Sequence, residues 1–411
     1  MTRPLEGITV LAAEQMHSLP HATQLMALMG AEVIKVEPLT GEAGRTGRPT
    51  ITDVDGRATG STFLRNNLGK ASVAIDLKHP GGRALFLRLA STVDVVAENF
   101  RPGTADKLGI GYADVRAASP RIVYLSVSGF GNQTDPQSPY RDWAAYAPIV
   151  EGMAGLYEYG REGDTPPRPA IAGALGDTAP GLYAVIGTLA ALRERDRSGS
   201  GCHVDISMYD SMIAVADVVH PASVGVEPSR ALDGIGILHA FRASDGWFTI
   251  EVVREPHFPR FATAVGHPEW VDDARLANRT GWSTHMGDII RPGVEQWAST
   301  RTKHQAASVL AAHGVAAGPV NTAADIVADP HVQSRDFIVE AHTPEHDVRV
   351  VANPIAFSWS LPPGTTDTAG TTTGAVFRWP VLGEGTERVL RQRLSLEPEE
   401  IAHLRETGVI A

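Results

Sequence analysis

Asp177 is the residue whose setting best suits covalent chemistry. It precedes an apolar helical stripe and follows Gly173 and Gly176, so a substrate could approach the backbone closely. We predict that Asp177 is the N-cap of this helix, with Pro180 in the first turn, and an N-cap stabilises a helix by about 1 kcal/mol. The same position suits a nucleophile, because free N–H groups at a helix N-terminus can stabilise an oxyanion. The local sequence leaves both interpretations open.

Other groups capable of catalysis or metal binding lack the required spacing. His17 and His21 are four residues apart, but Pro20 between them means that the two rings need not share a face, and we predict no metal site. Ser128 lacks the glycine two positions earlier that marks a nucleophile elbow. Cys202 follows a Gly/Ser turn and is predicted to be a strand residue. The sequence has neither G-x-G-x-x-G nor G-x-x-x-x-G-K-[ST], so we expect no dinucleotide redox cofactor and no nucleotide hydrolysis.

The composition is that of a globular protein with a large core. The chain has 411 residues, of which 43% are hydrophobic and 20% charged, and this length suggests two or three domains. A single cysteine excludes an internal disulfide and fits a reducing cytosol. We find no apolar leader and no run of about 18 apolar residues, and we expect a cytoplasmic protein. The net charge of −11, without any basic block, argues against a nucleic-acid partner, although a few local cations could still bind phosphates.

Strand-like and helix-like segments alternate through the first half of the chain. The segments predicted as strands are 8–12, 31–37, 72–77, 93–97 and 122–127, and those predicted as helices are 20–29, 82–90 and 104–117. Such alternation favours a parallel sheet covered on both faces. Ligands of these sheets bind outside the carboxyl ends of the strands. Those ends are residues 13–20, 38–45, 98–103 and 128–131.

The second half of the chain begins with a helix and then changes in character. Apolar residues at helical spacing follow Asp177: Leu182, Val185, Ile186, Leu189 and Leu192. Residues 202–207 read as another strand. Short strands and amphipathic helices then occupy 236–339, which predicts a smaller domain. We therefore divide the chain into a large domain (1–225), a small domain (226–340) and a return to the large domain (341–411) that ends in a helix at 397–406.

Several segments resemble the class III CoA-transferases, the CaiB/BaiF family of formyl-CoA transferase and carnitine CoA-transferase. GALGDTAPGLYAVIGTLAAL (173–192) is similar to the active-site segment of that family. Further similar blocks occur in family order over nearly the whole chain. Among them are GAEVIKVEP, GKASVAIDLKHPGG and ENFRPGTADKLGIGY before this segment and GCHVDISMYD after it. The resemblance implies an α/β fold with an open, mostly parallel Rossmann-like sheet in a large domain formed by both chain ends. It also implies an inserted smaller α+β domain and an interlocked homodimer.

The resemblance implies a reaction centred on Asp177. In the family the matching carboxylate attacks the thioester carbonyl of an acyl-CoA, which gives a mixed anhydride and free CoA thiolate. The thiolate then attacks the aspartyl carbonyl, leaving an enzyme–CoA thioester and releasing the first acid. An acceptor acid reverses these steps. The expected partners are therefore acyl-CoA, a small carboxylic acid and a second copy of the chain, with no tightly bound cofactor, no metal, no nucleic acid and no membrane.

The resemblance also implies which residues bind CoA. The positions that match the family's CoA contacts are Ile75, Lys78, Asn99, Phe100, Lys107 and Leu108, and Arg101 is a further candidate because it adjoins them. Lys78, Arg101 and Lys107 would supply the local positive charge that an otherwise acidic protein needs in order to hold phosphates.

Residues at the acyl end bear on the choice of reaction and substrate. Gln15, His17 and Tyr146 are expected to contact the acyl group. Racemases of 2-methylacyl-CoA, from the same superfamily, carry a His-Asp pair at the place of Tyr146, and a tyrosine of pKa about 10 is a poor base near pH 7. A racemase or isomerase is therefore the alternative function. Bulky Leu19 is expected to reshape the pocket, and residues 230–250 contain no glycine-rich flap, which argues against oxalate and formyl-CoA.

Overall fold

The structure is a computed structural model in which the chain forms two compact units. It describes residues 3–52, 58–132, 137–159, 161, 164–169, 173–216, 218–225, 234–342, 347–357 and 378–411. One unit comprises Met1–His220 and Gln333–Ala411, and the other comprises Pro221–Val332. The domain bounds read from the sequence, 226 and 340, remain a prediction.

The larger unit is built on a six-stranded sheet. The strands described in its first 220 residues are β1 (Thr9–Ala13), β2 (Glu32–Glu37), β3 (Thr50–Thr52), β4 (Ala58–Gly60), β5 (Ala71–Ala74), β6 (Val95–Glu98), β7 (Val123–Ser128) and β8 (His203–Ser207). The sheet order is β5-β2-β1-β6-β7-β8, and every neighbouring pair is parallel. β3 and β4 form a separate antiparallel pair. The predicted open parallel α/β sheet is confirmed.

Helices cover both faces of the sheet. The helices of the first 220 residues are α1 (Ser18–Leu28), α2 (Ser61–Asn66), α3 (Pro80–Ala90), α4 (Thr104–Leu108), α5 (Tyr112–Ala118), α6 (Ala147–Met153), α7 (Leu156–Tyr159), α8 (Leu175–Ser198) and α9 (Met208–Val215), with α10 (Val219–Ser223) at the end. Successive strand side chains point to opposite faces, so Val10 packs in the core with α1 and α8, whereas Leu11 packs in the core with α3. Burial of both faces explains why β1 (TVLAA) and β6 (VVAE) are almost entirely apolar.

The smaller unit has its own core. Its elements are the strands β9 (Ile237–Ala243), β10 (Gly246–Val252) and β11 (Ala316–Pro319), and the helices α11 (Phe258–Ala264), α12 (Arg279–Thr284), α13 (Arg291–Ala298), α14 (Lys303–Ala312) and α15 (Ala323–Ala328), followed by α16 (Pro330–Ser334). The three strands pair antiparallel. Phe258 and Trp282 stack with ring centroids 4.4 Å apart and anchor the helices in the apolar core.

The end of the chain returns to the larger unit. Its elements are β12 (Ile338–His342), β13 (Asp347–Val351), α17 (Thr386–Leu394) and α18 (Pro398–Glu406). Ile410 forms a β-bridge with Ile75. Val389 and Ile401 are buried in the same core as α3. The sequence predicts the helix α18 but not the helix α17, which follows a segment rich in threonine, glycine and proline.

Two predicted helices differ from those observed. The helix predicted at 104–117 is interrupted, because Gly109 takes a left-handed φ of 69° and ends α4. The predicted N-cap role of Asp177 is wrong: α8 begins at Leu175, Ala174 is its N-cap, and Asp177 is its third residue. The helix starts early because Gly173, at φ 90°, turns the chain so that the Ala174 carbonyl already accepts the N–H groups of Asp177 and Thr178. Pro180 consequently lies inside the helix.

Among the described helices, α8 alone has the length and hydropathy that a membrane span would need, with a mean hydropathy of 1.2. Half of its apolar window is buried within the fold. Val185 and Leu192 on this helix pack in the core between α8 and the sheet. Leu182, Ile186 and Leu189 of the predicted apolar stripe are instead exposed.

Candidate active site

Two cavities of the larger unit share Asp177. The strand-end cavity, of about 140 Å³, is lined among others by Gln15, His17, Asn99, Phe100, Arg101, Tyr146 and Asp177. The Arg65 cavity, of about 580 Å³, is lined among others by His17, Ser61, Thr62, Arg65, Tyr146, Glu151 and Asp177. The predicted acyl-end residues Gln15, His17 and Tyr146 therefore lie with Asp177 outside the carboxyl ends of β1, β6 and β7.

The Asp177 carboxylate is partly buried, which changes its acidity. Burial, helped by the nearby Glu151 carboxylate, raises the pKa of Asp177 to about 6, while Arg65 opposes the rise. Burial, helped by Arg65 and His21, lowers the pKa of His17 to about 4. His17 Nδ1 lies 3.8 Å from Asp177 Oδ2. Near pH 7 this contact therefore joins a neutral ring to an ionised carboxylate, and it is not an ion pair.

The Glu151 side chain stabilises the start of α8 through a hydrogen bond. Its Oε1 accepts a hydrogen bond from the Gly176 N–H at 2.8 Å, and its Oε2 accepts one from the Tyr157 hydroxyl. The Asp177 N–H donates to the Ala174 carbonyl at 3.1 Å. The N–H groups of Gly176 and Asp177 are therefore already paired, and the expectation that they are free to stabilise an oxyanion is wrong. No motif in the sequence marks Glu151 as part of the site.

The loop between β1 and α1 is held from two sides. Asn99 Oδ1 accepts the Gln15 N–H at 2.9 Å, and Asn99 Nδ2 donates to the Gln15 carbonyl at 2.9 Å. Met16 has a left-handed φ of 63°, which is uncommon for a residue other than glycine. Its N–H donates to Glu42 Oε2 at 3.1 Å. Asn99 and Glu42 together fix the backbone on which Gln15 and His17 stand.

A network of buried charged side chains lies next to this loop. Glu14, Lys35, Lys70 and Glu42 are all buried. Lys70 Nζ donates to Glu14 Oε1 at 2.7 Å, and Lys35 Nζ lies 3.5 Å from Glu42 Oε1. Burial alone would raise the pKa of Glu14, but Lys70 and Lys35 outweigh it and hold that pKa below its ordinary value. Because each charge has a partner, the network can persist without water.

Three more of the predicted CoA residues, Lys78, Lys107 and Leu108, line a third cavity. The α3 cavity, of about 570 Å³, is lined by Leu77, Lys78, His79, Pro80, Arg83, Ala84, Leu87, Lys107 and Leu108. Sequence reasoning missed His79 and Arg83, although the basic residues of KHPGGR at the start of α3 were a usable signal. Lys78, Arg83 and Lys107 give the cavity a positive lining of the kind that binds phosphate. Ile75 is only 1% exposed and lines none of the three cavities, so the structure does not place it with the other predicted CoA residues.

Other candidate residues take no part in these cavities. Leu19 is fully buried in the core and lines none of the three cavities, so the expectation that it reshapes the pocket is wrong. Cys202 is exposed and lies just before β8. Within the described ranges, no group of three His, Cys, Asp or Glu side chains is arranged to hold a metal ion. Of the segment 230–250, residues 230–233 lie outside the described residues.

Comparison with known proteins gives consistent matches over nearly the whole chain. A family model described as CoA-transferase family III matches residues 5–367. The chain is 32% identical to succinyl-CoA–D-citramalate CoA-transferase of Chloroflexus aurantiacus, across 99% of this chain and 98% of that protein. It is 33% identical to the beta subunit of succinyl-CoA–L-malate CoA-transferase of the same organism, across 100% of this chain and 98% of the relative. A CaiB/BaiF family protein from Brucella suis superposes with a TM-score of 0.82 at 30% identity, across 96% of this chain and 100% of that one.

Proposed function

The chain belongs to CoA-transferase family III and is an acyl-CoA:carboxylate CoA-transferase, and from this premise we propose that Asp177 carries coenzyme A between the two acids. The observation that supports this role is position, since Asp177 is the carboxylate at which the strand-end cavity and the Arg65 cavity meet. Its raised pKa of about 6 leaves it ionised at neutral pH and more nucleophilic than an ordinary aspartate.

The proposed steps balance without a metal or a redox cofactor. An Asp177 oxygen attacks the thioester carbonyl carbon, the C–S bond breaks, and a mixed anhydride and a CoA thiolate form. The thiolate attacks the Asp177 carboxyl carbon, the C–O bond to the acyl group breaks, and the first acid leaves as a carboxylate. The acceptor carboxylate then attacks the aspartyl thioester and expels the thiolate, which attacks the acceptor's carbonyl and restores the Asp177 carboxylate. Partial burial supports this chemistry because anhydrides hydrolyse in water.

We assign the CoA contacts to two places. Lys78, Lys107 and Leu108 would hold the nucleotide end at the α3 cavity, while Phe100 and Arg101 would face the thioester end at the strand-end cavity. Asn99 would act through Gln15, because its side-chain amide already holds both main-chain polar groups of that residue.

We also propose that the chain works as a homodimer. Leu182, Tyr183, Ile186 and Leu189 leave an apolar row exposed along α8 while the opposite side of the helix packs in the core. An apolar row of this kind on a described surface suits an interface with a second copy. The family resemblance supports the same arrangement.

Trapping tests the role of Asp177. Since the two Chloroflexus relatives are named for succinyl-CoA with D-citramalate or L-malate, succinyl-CoA is the first donor to use. We expect incubation with donor followed by borohydride or hydroxylamine to modify one carboxylate, placed at Asp177 by peptide mass spectrometry. Asp177→Asn should abolish both the modification and turnover, whereas Asp196→Asn, an exposed aspartate of the same helix, should change neither.

Other outcomes decide against the proposal. Modification at Glu151 in place of Asp177, or full turnover by Asp177→Asn, would contradict the assignment. Solvent deuterium uptake at the α-carbon of an acyl-CoA, without any acceptor acid, would favour the racemase or isomerase alternative.

A further inference from the structure

We propose that Arg65 binds a second carboxylate of the substrate, so that the enzyme prefers thioesters of short dicarboxylic acids, because its guanidinium and Asp177 line the same cavity. The inference rests on the proposed function, since it takes the reacting carbonyl to be at Asp177. The Arg65 cavity has a volume of about 580 Å³, which is large enough for a four- or five-carbon acyl group beside the nucleophile.

The backbone of Arg65 is fixed while its side chain is exposed. Gln24 Nε2 donates to the Arg65 carbonyl at 2.8 Å, and Gln24 Oε1 accepts the Leu68 N–H at 2.8 Å. The Trp379 indole donates to the Leu64 carbonyl at 2.5 Å. Phe63 is fully buried on the same short helix, α2. A guanidinium presented from a fixed backbone loses less conformational freedom when it binds an anion.

The Arg65 guanidinium acts on the Asp177 carboxylate from a distance, without a close ion pair between them. This guanidinium forms no ion pair within 4.0 Å with any residue that the structure describes. Of the described residues that line the cavity, Arg65 alone is cationic at neutral pH, because burial lowers the pKa of His17 to about 4. The Glu151 oxygens are instead directed at the Gly176 N–H and the Tyr157 hydroxyl, from which they accept hydrogen bonds.

Thioester chemistry decides which anion Arg65 can bind. In a monocarboxylic acyl-CoA the only carboxyl group is consumed in the thioester, and the acyl chain is neutral. A dicarboxylic acyl-CoA keeps one carboxylate at the far end of the chain, which the guanidinium can bind through two parallel hydrogen bonds. The same contact would offset repulsion between that carboxylate and the anionic Asp177 and Glu151. Arg65 therefore discriminates between donors by the presence of the distal charge.

The test compares donors that differ only in the distal carboxylate. Malonyl-, succinyl- and glutaryl-CoA are paired with propionyl-, butyryl- and valeryl-CoA, and the rate of enzyme–CoA thioester formation is measured by rapid quench and intact mass. The assay is run at pH 8, because loss of Arg65 would raise the pKa of Asp177. We expect the wild type to prefer at least one dicarboxylic donor, and Arg65→Met to lower kcat/KM for that donor on the order of 100-fold. The same variant should change the matched neutral donor less than about threefold.

Two further variants keep the result interpretable. Arg88→Met removes an exposed arginine from the last turn of α3 and should alter neither donor. Arg65→Lys should recover part of the preference. Equal loss for both donors, no loss for either, or no wild-type preference for any dicarboxylic donor overturns the inference. Failure of the proposed function looks different: turnover would then proceed with no CoA thioester on Asp177.

Discussion

The Glu151 carboxylate accepts a hydrogen bond from the main-chain N–H of Gly176 at 2.8 Å, directly beside the nucleophile proposed at Asp177. This contact places two carboxylates at the start of one helix. Burial is the main cause that raises the pKa of Asp177 to about 6, and the charge of Glu151 is the second. Glu151 therefore both orders the start of the helix and contributes, after burial, to the raised pKa of its neighbour.

Glu151→Gln should shift the pH dependence of the first half-reaction. The amide oxygen can still accept the Gly176 N–H, but the negative charge is gone, so the pKa of Asp177 should fall below 6 while burial keeps it above its ordinary value of 3.8. Because the ionised form is the nucleophile, the rate should rise with pH through about 6 in the wild type and through a lower pH in the variant. Rates of enzyme–CoA formation between pH 4.5 and 8.5 measure this shift.

The control and the stability change follow from the same linkage. Glu194→Gln, an exposed substitution on α8, should leave the pH profile of enzyme–CoA formation unchanged.

The raised pKa of Asp177 means that the folded state holds the carboxyl proton to a higher pH than the unfolded state does. The Asp177 carboxyl therefore lowers the stability of the fold as pH rises from about 4 to about 6. Glu151→Gln lowers the pKa of Asp177 and so removes part of this loss of stability at pH 7. Thermal unfolding at pH 7 should therefore show that the variant loses no more stability than the changed hydrogen bonds of residue 151 account for. An unshifted profile would assign the raised pKa to burial only.

Lys107→Met should weaken the binding of acyl-CoA specifically through the nucleotide. Lys107 and Lys78 line the α3 cavity, and loss of one phosphate contact should raise KM for an acyl-CoA about tenfold. KM for the matching acyl thioester of N-acetylcysteamine should not change, because that thioester carries no phosphate. Arg88→Met, on α3 but outside the cavity lining, serves as the charge-matched control. Equal losses with both thioesters would place Lys107 at the acyl end or in the fold.

The sequence predicted the parts of the molecule that local patterns determine. Alternation of strands and helices predicts the parallel sheet, and the sheet predicts a site at the carboxyl ends of its strands. Gln15, Asn99 and Arg101 follow those ends and line the strand-end cavity. The local sequence left Asp177 as either an N-cap or a nucleophile, and the family resemblance favoured the nucleophile. The resemblance also added Lys78 and Lys107 of the α3 cavity, but not Arg83.

Contacts made by distant segments could not be predicted in this way. Glu151 meets Gly176 across 25 positions, and Glu42 meets Met16 across 26. Periodicity likewise groups Val185 with Ile186 on one helical stripe, but it does not say which side meets the core. Val185 is buried in the observed packing, whereas Ile186 is 62% exposed. Only the assembled fold fixes that choice.

Ile186→Lys should disrupt the proposed homodimer. Ile186 is 62% exposed at the centre of the apolar row on α8, so a lysine there should cost little in the isolated chain. Within an apolar interface the same charge would be buried without a partner, which strongly disfavours association. Light scattering should show the wild type as a dimer and the variant as a monomer with unchanged circular dichroism. Val271→Lys, an exposed site in the smaller unit, is the control, and a variant that stays dimeric would remove this row from the interface.

Glu42→Ala should impair catalysis by releasing the loop that carries Gln15 and His17. A left-handed residue other than glycine costs roughly 1–2 kcal/mol, and the Glu42 Oε2 contact to the Met16 N–H opposes relaxation of that backbone. We expect kcat/KM to fall about 10- to 100-fold, since small displacements of positioning groups are costly in catalysis. Glu42→Gln keeps an oxygen acceptor at the same reach and should retain most of the activity.

A second substitution separates positioning from charge balance. Glycine adopts a φ near 63° without strain, so Met16→Gly should restore part of the activity lost in Glu42→Ala if the loop conformation is what Glu42 supplies. Glu42 also lies 3.5 Å from buried Lys35, and glycine at position 16 cannot replace that charge. Steady-state kinetics of the two single variants and the double variant distinguish the roles. Recovery in the double variant supports positioning, whereas a double variant as impaired as Glu42→Ala, together with an impaired Glu42→Gln, assigns the effect to the unpaired lysine.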